Sequence, residues 1–140
     1  MTSSVIGSYL SFHYKYQMTS RLKLFLSHDW AYQARNHEKV TIIHRYLAPK
    51  VQNAWIDDQQ MSSGDSLERE ISNAILDCDV FVVFITDHYH KKYNSGDKMD
   101  YCYFEFRTSL ELRKPILAVL LERPSLSPPF QTHISDLLCI

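Results

Sequence analysis

Residues 80–85 read Val-Phe-Val-Val-Phe-Ile, and this run of six apolar, strand-favouring side chains decides the fold. A strand without a polar position is apolar on both faces, which is typical of the middle of a parallel sheet covered by helices on each side. Asp79 precedes the run and Thr86 closes it. The stretch therefore predicts a central, fully buried strand around which the other elements are arranged.

Three other apolar runs predict further strands, at 22–26, 54–56 and 116–121. Helices are predicted where apolar residues recur every three or four positions. One such set comprises Val40, Ile43 and Leu47, another comprises Leu67, Ile71, Ala74, Ile75 and Cys78, and a third helix is expected from about Lys98 to Leu112. The segment 87–97, which holds His88, His90, Lys91 and Lys92, is interpreted as a polar loop.

Strands and helices alternate along the whole of this region, which indicates a doubly wound α/β fold with a parallel sheet. Such a sheet binds ligands at the carboxyl ends of its strands. The side chains that follow the first strand are Ser27, His28, Asp29 and Trp30, and Asp57 follows the second. We therefore expect these five residues to be candidates for binding a ligand.

Length and composition narrow the classes of function. A chain of 140 residues with 45% hydrophobic residues fits one globular domain, here taken as 22–140 after a flexible lead-in at 1–21. The net charge of −1 gives no reason to expect nucleic-acid binding. No apolar run approaches the ~20 residues of a membrane span. The lead-in has no acidic residue but little Arg, so it resembles a transit peptide only weakly.

Cysteine and histidine patterns give little support to a metal site. Cys78, Cys102 and Cys139 are widely spaced, which argues against a disulfide framework and favours a reducing compartment such as the cytoplasm. His88 and His90 are conceivable ligands, but the sequence offers no third one that converges with them, and solvated side chains explain them more simply. We expect no resident metal or cofactor.

The helix predicted at 98–112 carries a carboxylate outside its apolar stripe. The stripe comprises Met99, Cys102, Tyr103, Phe106 and Leu110. Glu105 falls about 120° from the centre of that stripe, and Tyr101 lies one turn before it on the same side. An exposed glutamate beside surface aromatics is the commonest explanation of this pattern. A carboxylate held in a cleft is the alternative, and the spacing alone leaves both open.

Taken together, these segments resemble the TIR domain family. The sequence Leu-Phe-Leu-Ser-His at 24–28 is similar to the first box of the family, and Trp55-Ile56-Asp57 is similar to its second strand. The loop that follows resembles the family's BB loop, with Asp58, Gln59, Gln60, Met61 and Gly64 as candidate assembly residues. Residues 100–106 resemble the segment that bears the catalytic glutamate of the NAD+-cleaving members, with Glu105 in that place and Tyr101 as the preceding aromatic.

The resemblance implies a flavodoxin-like sheet of strand order 2-1-3-4-5 and assembly through contacts between TIR domains. It also implies cleavage of the nicotinamide–ribose bond of NAD+, which would be the substrate, to give ADP-ribose or a cyclic product in signalling or innate immunity. Two departures stand out. The segment after Glu122 is short for a fifth strand and a last helix, and the BB loop lacks a basic residue.

Two other functions are alternatives for this sequence. A non-catalytic TIR adaptor would act only through TIR–TIR contacts, and Glu105 with its aromatic neighbour argues against it without deciding the matter. A phosphoacceptor receiver domain shares the sheet order, but it needs an aspartate at the end of the third strand and a lysine after the fifth. Thr86 occupies the first of these positions, and no matching lysine follows.

Overall fold

The predicted apolar runs form one parallel sheet in the computed structural model, which describes residues 21–31, 33–57 and 65–121. The strands are β1 (Lys23–Ser27), β2 (Asn53–Ile56), β3 (Val80–Ile85) and β4 (Ile116–Leu120). Their order is β2-β1-β3-β4, with every neighbouring pair parallel. This confirms the flavodoxin-like arrangement for these four strands. The fifth strand and last helix expected from the resemblance fall at 122–140, outside the described residues.

Helices connect the strands as the alternation predicted, and the structure adds a helix in the segment 87–97. They are α1 (Arg35–Leu47), α2 (Asp65–Asp77), α3 (Asp87–Ser95) and α4 (Tyr101–Glu111), and a short 3-10 turn (Ala48–Lys50) follows α1. The interpretation of 87–97 as a loop was wrong, since α3 occupies most of it. Thr86 caps this helix by accepting a hydrogen bond from the Tyr89 N–H, and Gly96 ends it in the left-handed conformation that glycine adopts easily.

Alternation along β1 and β3 divides the core into two layers. Phe25, Phe81, Val83 and Ile85 point to one face and pack against residues of α2, α3 and α4. Leu26, Val82 and Phe84 point to the other face, where Val40 of α1 meets them. Phe81, Val82, Val83, Phe84 and Ile85 are at most 4% exposed. The prediction of a fully buried central strand is confirmed, because both of its faces are covered.

The start of α4 differs from the predicted one. The helix begins at Tyr101, after Asp100, which accepts hydrogen bonds from the N–H groups of Cys102 and Tyr103. Met99 therefore precedes the helix and is 79% exposed, so its assignment to the core stripe was wrong. Cys102 and Phe106 are buried as expected. Among the helices of the described ranges, none is both long enough and apolar enough to cross a membrane.

Candidate functional site

A buried group of polar side chains lies at the carboxyl ends of β1 and β3. Ser27 is the last residue of β1, Thr86 follows β3, and Glu105 reaches them from the second turn of α4. The Ser27 hydroxyl donates a hydrogen bond of 2.5 Å to Oε2 of Glu105. Both residues are 2% exposed or less. The structure therefore brings together the glutamate singled out in the sequence and one of the residues predicted beside it.

The expectation that Glu105 lies on a face of its helix that the core does not need was wrong. The reason is that α4 is covered on more than one side. Its apolar stripe packs into the core with Phe106, while Ser27 at the end of β1 meets Glu105 on another side of the helix. Helical spacing identifies the main apolar stripe of a helix, but it does not show what a second neighbouring element covers.

The start of α4 is fixed by a charged cap. Oδ1 of Asp100 accepts the N–H groups of Cys102 at 2.9 Å and Tyr103 at 3.4 Å. Its Oδ2 forms an ion pair with Nζ of Lys92 at 3.1 Å, which links α4 to α3. A helix advances about 1.5 Å per residue, so Glu105 lies at a fixed distance along α4 from Asp100. The cap therefore helps to set the position of Glu105 relative to the end of β1.

The surroundings of Glu105 favour its neutral form. Burial raises the pKa of this carboxyl group well above its ordinary value, the Ser27 hydrogen bond lowers it, and the nearby charges of Asp57 and Asp100 raise it. Lys92 lowers the pKa, but its contribution is the smallest of these. A carboxyl group perturbed by burial at the end of a parallel sheet is the kind of group found at functional sites.

Asp29 organises the loop after β1. Its Oδ1 accepts the Ala31 N–H at 2.9 Å and the Asn36 side-chain amide at 2.8 Å. Its Oδ2 accepts the hydroxyl of Thr86 at 2.5 Å. Asp29 is completely buried, so these bonds compensate the loss of water around both oxygens. It joins the loop to the start of α1 and to the end of β3, and its predicted contact with a ligand stays a prediction.

His28 and Trp30 form an aromatic group with His37 of α1. The Trp30 and His37 rings stack with their centroids 3.6 Å apart, and His28 Nε2 lies 2.7 Å from His37 Nδ1. The pKa of His28 is lowered to about 4, first by burial and then by the neighbouring His37, while the Leu26 backbone and the charge of Asp29 partly oppose the shift. His28 is therefore neutral at pH 7. The sequence analysis assigned no role to His37, which only the packing of α1 against this loop identifies.

Tyr101 and Asp57 differ in their relation to Glu105. Asp57 is close enough for its charge to raise the pKa of Glu105, as expected for a residue at the end of the neighbouring strand. Tyr101 is the first residue of α4 and is 36% exposed, although it lies one turn from the buried glutamate. The candidate assembly residues of the next loop, Asp58, Gln59, Gln60, Met61 and Gly64, lie outside the described residues.

Tyr89 is the site residue that the sequence analysis missed. It belongs to the first turn of α3, is completely buried, and places its hydroxyl oxygen 2.7 Å from Oγ of Ser27. The same hydroxyl oxygen lies 3.3 Å from the Cys102 carbonyl oxygen, which is a second acceptor within reach of its proton. The signal was present, since Thr86 before Asp87 and Gly96 further on are the start and stop residues of a short helix.

The two histidines considered as metal ligands, His88 and His90, both lie on α3. His90 is 7% exposed, and its Nε2 lies 2.9 Å from the side-chain nitrogen of Asn94 one turn later. Within the described ranges, no three His, Cys, Asp or Glu side chains come close enough together to hold a metal ion. Cys78 and Cys102 are buried free thiols.

Comparison with known families gives one clear match. The sequence model of the TIR domain family matches residues 24–140, which is most of the chain. Comparison with curated proteins gave no match, and neither did comparison with solved structures. The matched range includes Glu105 and all of the described sheet except Lys23, the first residue of β1. The sheet order agrees with this match, and the chain belongs to the TIR domain family.

Proposed function

We propose that this TIR domain cleaves the nicotinamide–ribose bond of NAD+, with Glu105 as the catalytic residue. The observation that carries the proposal is the placement of a buried carboxyl group at the carboxyl ends of β1 and β3, hydrogen-bonded to Ser27 at 2.5 Å. Parallel α/β sheets bind ligands at this edge. TIR domains act in signalling and contact one another, and we place this activity in cytoplasmic signalling that depends on self-assembly.

One carboxylate suffices for this chemistry. Nicotinamide is attached to the ribose as a cationic pyridinium, so it leaves as a neutral ring and needs no general acid, unlike the leaving oxygen of an ordinary glycoside. As the bond from C1′ to the ring nitrogen breaks, the electron pair goes to the nitrogen and positive charge develops on the ribose. A charged Glu105 would stabilise that charge most strongly where water is excluded. Attack by water at C1′ then gives ADP-ribose and a proton, and attack by the adenine gives a cyclic product.

The raised pKa of Glu105 has a direct consequence for the proposal. The charged form of the carboxyl group is the catalytic one, and burial disfavours it in the conformation described. A bound NAD+ would bring a pyridinium cation beside Glu105 and so favour ionisation. The site would then be closed at rest and become charged on substrate binding. Contact with a second TIR domain would favour the open form, so activity would rise when the domains cluster.

Release of nicotinamide from NAD+ by domains clustered on a surface tests the proposal. Glu105→Gln removes the charge with little change in shape, and we expect the rate to fall by about 100-fold or more, the size typical of losing a preorganised electrostatic contact. Glu111→Gln is the matched control, because Glu111 lies on the same helix but is exposed in an ion pair with Arg107. Equal rates in the wild type and Glu105→Gln, or no release by the clustered wild type, would contradict the proposal.

A non-catalytic scaffold is the second candidate. The observation that favours it is the surface of α1, where Ile42 and Tyr46 lie one turn apart, are each 66% exposed, and offer adjacent apolar surface to a partner domain. In that case Glu105 and Ser27 would only stabilise the fold. The same assay distinguishes the two, because a scaffold would assemble without releasing nicotinamide.

A further inference from the structure

Tyr89 contacts Ser27, the residue that holds Glu105, and has no part in the chemistry proposed above. Its hydroxyl oxygen is 2.7 Å from Oγ of Ser27, and Ser27 in turn is 2.5 Å from Oε2 of Glu105. The three groups form a continuous chain of hydrogen bonds, and all three residues are at most 2% exposed. A chain of this kind is not exchanged with water, so the direction of each proton in it matters.

The position of Tyr89 is itself strongly determined. Its backbone N–H donates to Oγ1 of Thr86 at 3.0 Å, and the Thr86 hydroxyl donates to Asp29 at 2.5 Å. Asp29 is fixed by Ala31 and Asn36. The first turn of α3 is thereby tied to the loop after β1. This arrangement leaves the Tyr89 hydroxyl little freedom to move away from Ser27.

Proton counting gives two arrangements of the chain. When Glu105 is charged, Ser27 donates its proton to the carboxylate, and its own oxygen can accept the proton of Tyr89. When Glu105 is neutral, its proton points to Ser27, Ser27 donates to Tyr89, and Tyr89 donates to the Cys102 carbonyl, 3.3 Å away. The first arrangement places a charge-assisted bond on the carboxylate, and such bonds are roughly twice as strong as neutral ones. Tyr89 therefore contributes more to the charged state.

We propose that Tyr89 is a positioning residue whose hydroxyl orients the Ser27 hydroxyl toward Glu105 and thereby stabilises the charged form of that carboxylate. The effect of Tyr89 on catalysis rests on the proposed function, whereas its effect on the ionisation of Glu105 does not. It identifies a residue that acts through another, since Ser27 lies between Tyr89 and the carboxylate.

The other groups around Glu105 stay unchanged when the Tyr89 hydroxyl is removed. They comprise Asp57 after β2, Asp100 and Cys102 on α4 and its cap, Lys92 on α3, and Ser27 on β1. Burial remains the largest influence on the pKa of Glu105 and raises it. A difference between the wild type and Tyr89→Phe therefore reports the hydrogen-bond chain and not a change in the surrounding charges.

The test follows the ionisation of Glu105 by NMR of its carboxyl carbon in the unliganded protein. We expect the titration midpoint to rise in Tyr89→Phe, with the ionisation constant lowered about three- to tenfold, the range for one hydrogen bond. Tyr93→Phe is the control, because Tyr93 lies one turn later on α3 and its ring packs against Tyr103 and Phe106. An unchanged midpoint in Tyr89→Phe, or an equal rise in both variants, would overturn the proposal.

A double-variant cycle tests whether Tyr89 acts through Ser27. Ser27→Ala removes the middle of the chain, so adding Tyr89→Phe to it should leave the Glu105 midpoint unchanged. If the second substitution shifts the midpoint by the same amount in both backgrounds, the route through Ser27 is wrong. Should Tyr89→Phe fail to fold, the hydroxyl proton of Tyr89 in the wild type gives the answer, since its chemical shift should titrate with the Glu105 midpoint. If the chemical shift of this proton does not change as Glu105 ionises, the proposal is overturned.

Nicotinamide release is measured separately on the same variants. With an active enzyme, Tyr89→Phe should lose more activity below the Glu105 midpoint than above it, about three- to tenfold at the acid limit, whereas a purely structural loss would be independent of pH. If the wild type releases no nicotinamide while the Glu105 midpoint still rises in Tyr89→Phe, the proposed function fails and the positioning role stands.

Discussion

Polar side chains are exposed at the amino end of the sheet and buried at its carboxyl end. At the amino end, Lys23 and Asp77 form an ion pair at 3.0 Å with 33% and 62% of their side chains exposed. Lys114 lies at the same end and donates to the carbonyls of Leu76 and Cys78, which end α2. At the carboxyl end, Glu105 and Asp29 are buried and held mainly by uncharged hydrogen-bond partners.

This difference supports the placement of the proposed site at the carboxyl end of the sheet. Exposed ion pairs contribute little and cost little, because water solvates both charges. Buried carboxyl groups without a cation in direct contact are costly, and natural proteins retain such costs mostly at functional sites. We therefore expect buried charge to cost more stability at the carboxyl end than at the amino end.

The largest expected effect concerns His28. Its pKa in the folded state is about 4, below the ordinary value of 6.5. Between pH 4 and pH 6.5, His28 is therefore protonated in the unfolded chain but neutral in the folded protein. The free energy of unfolding is therefore unaffected by His28 above pH 6.5, and it falls by about 3 kcal/mol as pH decreases toward 4. Urea unfolding of the wild type and His28→Gln at pH 7 and pH 4.5 measures this loss, which should be much smaller in the variant.

His88→Gln serves as the control for that comparison, because His88 is half-exposed on α3 and far less desolvated than His28. Its loss of stability between the two pH values should match that of the wild type. If His28→Gln also loses as much as the wild type, burial of His28 does not govern the acid stability of the domain.

A smaller effect of opposite sign is expected from Glu105→Gln. Because the folded-state pKa is raised, the unfolded chain releases its proton above about 4.5 while the folded protein retains it. Stability then falls as pH rises through this value until the folded-state pKa is passed. The variant avoids that fall, so its free energy of unfolding should exceed that of the wild type by more at pH 8 than at pH 4.

Thermal and urea unfolding of Glu105→Gln and Glu111→Gln at pH 4 and pH 8 measure the difference. The gain should grow between the two pH values for the first variant only. A Glu105→Gln protein with the same pH dependence as the wild type would show that the buried carboxyl carries no electrostatic cost.

The smallest effect belongs to the amino end. Lys23→Gln breaks the exposed ion pair with Asp77, and we expect a loss of about 0.5 kcal/mol or less, because exposed pairs of this kind are weak and screened by salt. Urea unfolding in low salt and in high salt checks this, since the difference from the wild type should shrink as salt is added. A loss comparable to that caused by a substitution at the carboxyl end would remove the contrast between the two ends.

Much of the architecture could be predicted from local patterns. The continuous apolar run at 80–85 predicted the buried central strand, and the other runs predicted its neighbours, because strands covered on both faces leave no polar position. Helix α3 was not predicted, although Thr86 and Gly96 mark its two ends. Its polar composition concealed a helix that buries only Tyr89 and His90.

The sequence by itself determined the fold class, the edge of the sheet where a ligand is expected, and the choice of Glu105, since these follow from apolar periodicity and from motifs within short segments. Only the tertiary structure decided that Glu105 is buried, that Ser27 holds it, and that Tyr89 and His37 belong to the site. These contacts join residues 62 and 78 positions apart, as in the bonds from Ser27 to Tyr89 and Glu105. Helical or strand spacing relates only neighbours within one element, so packing between elements must supply the rest.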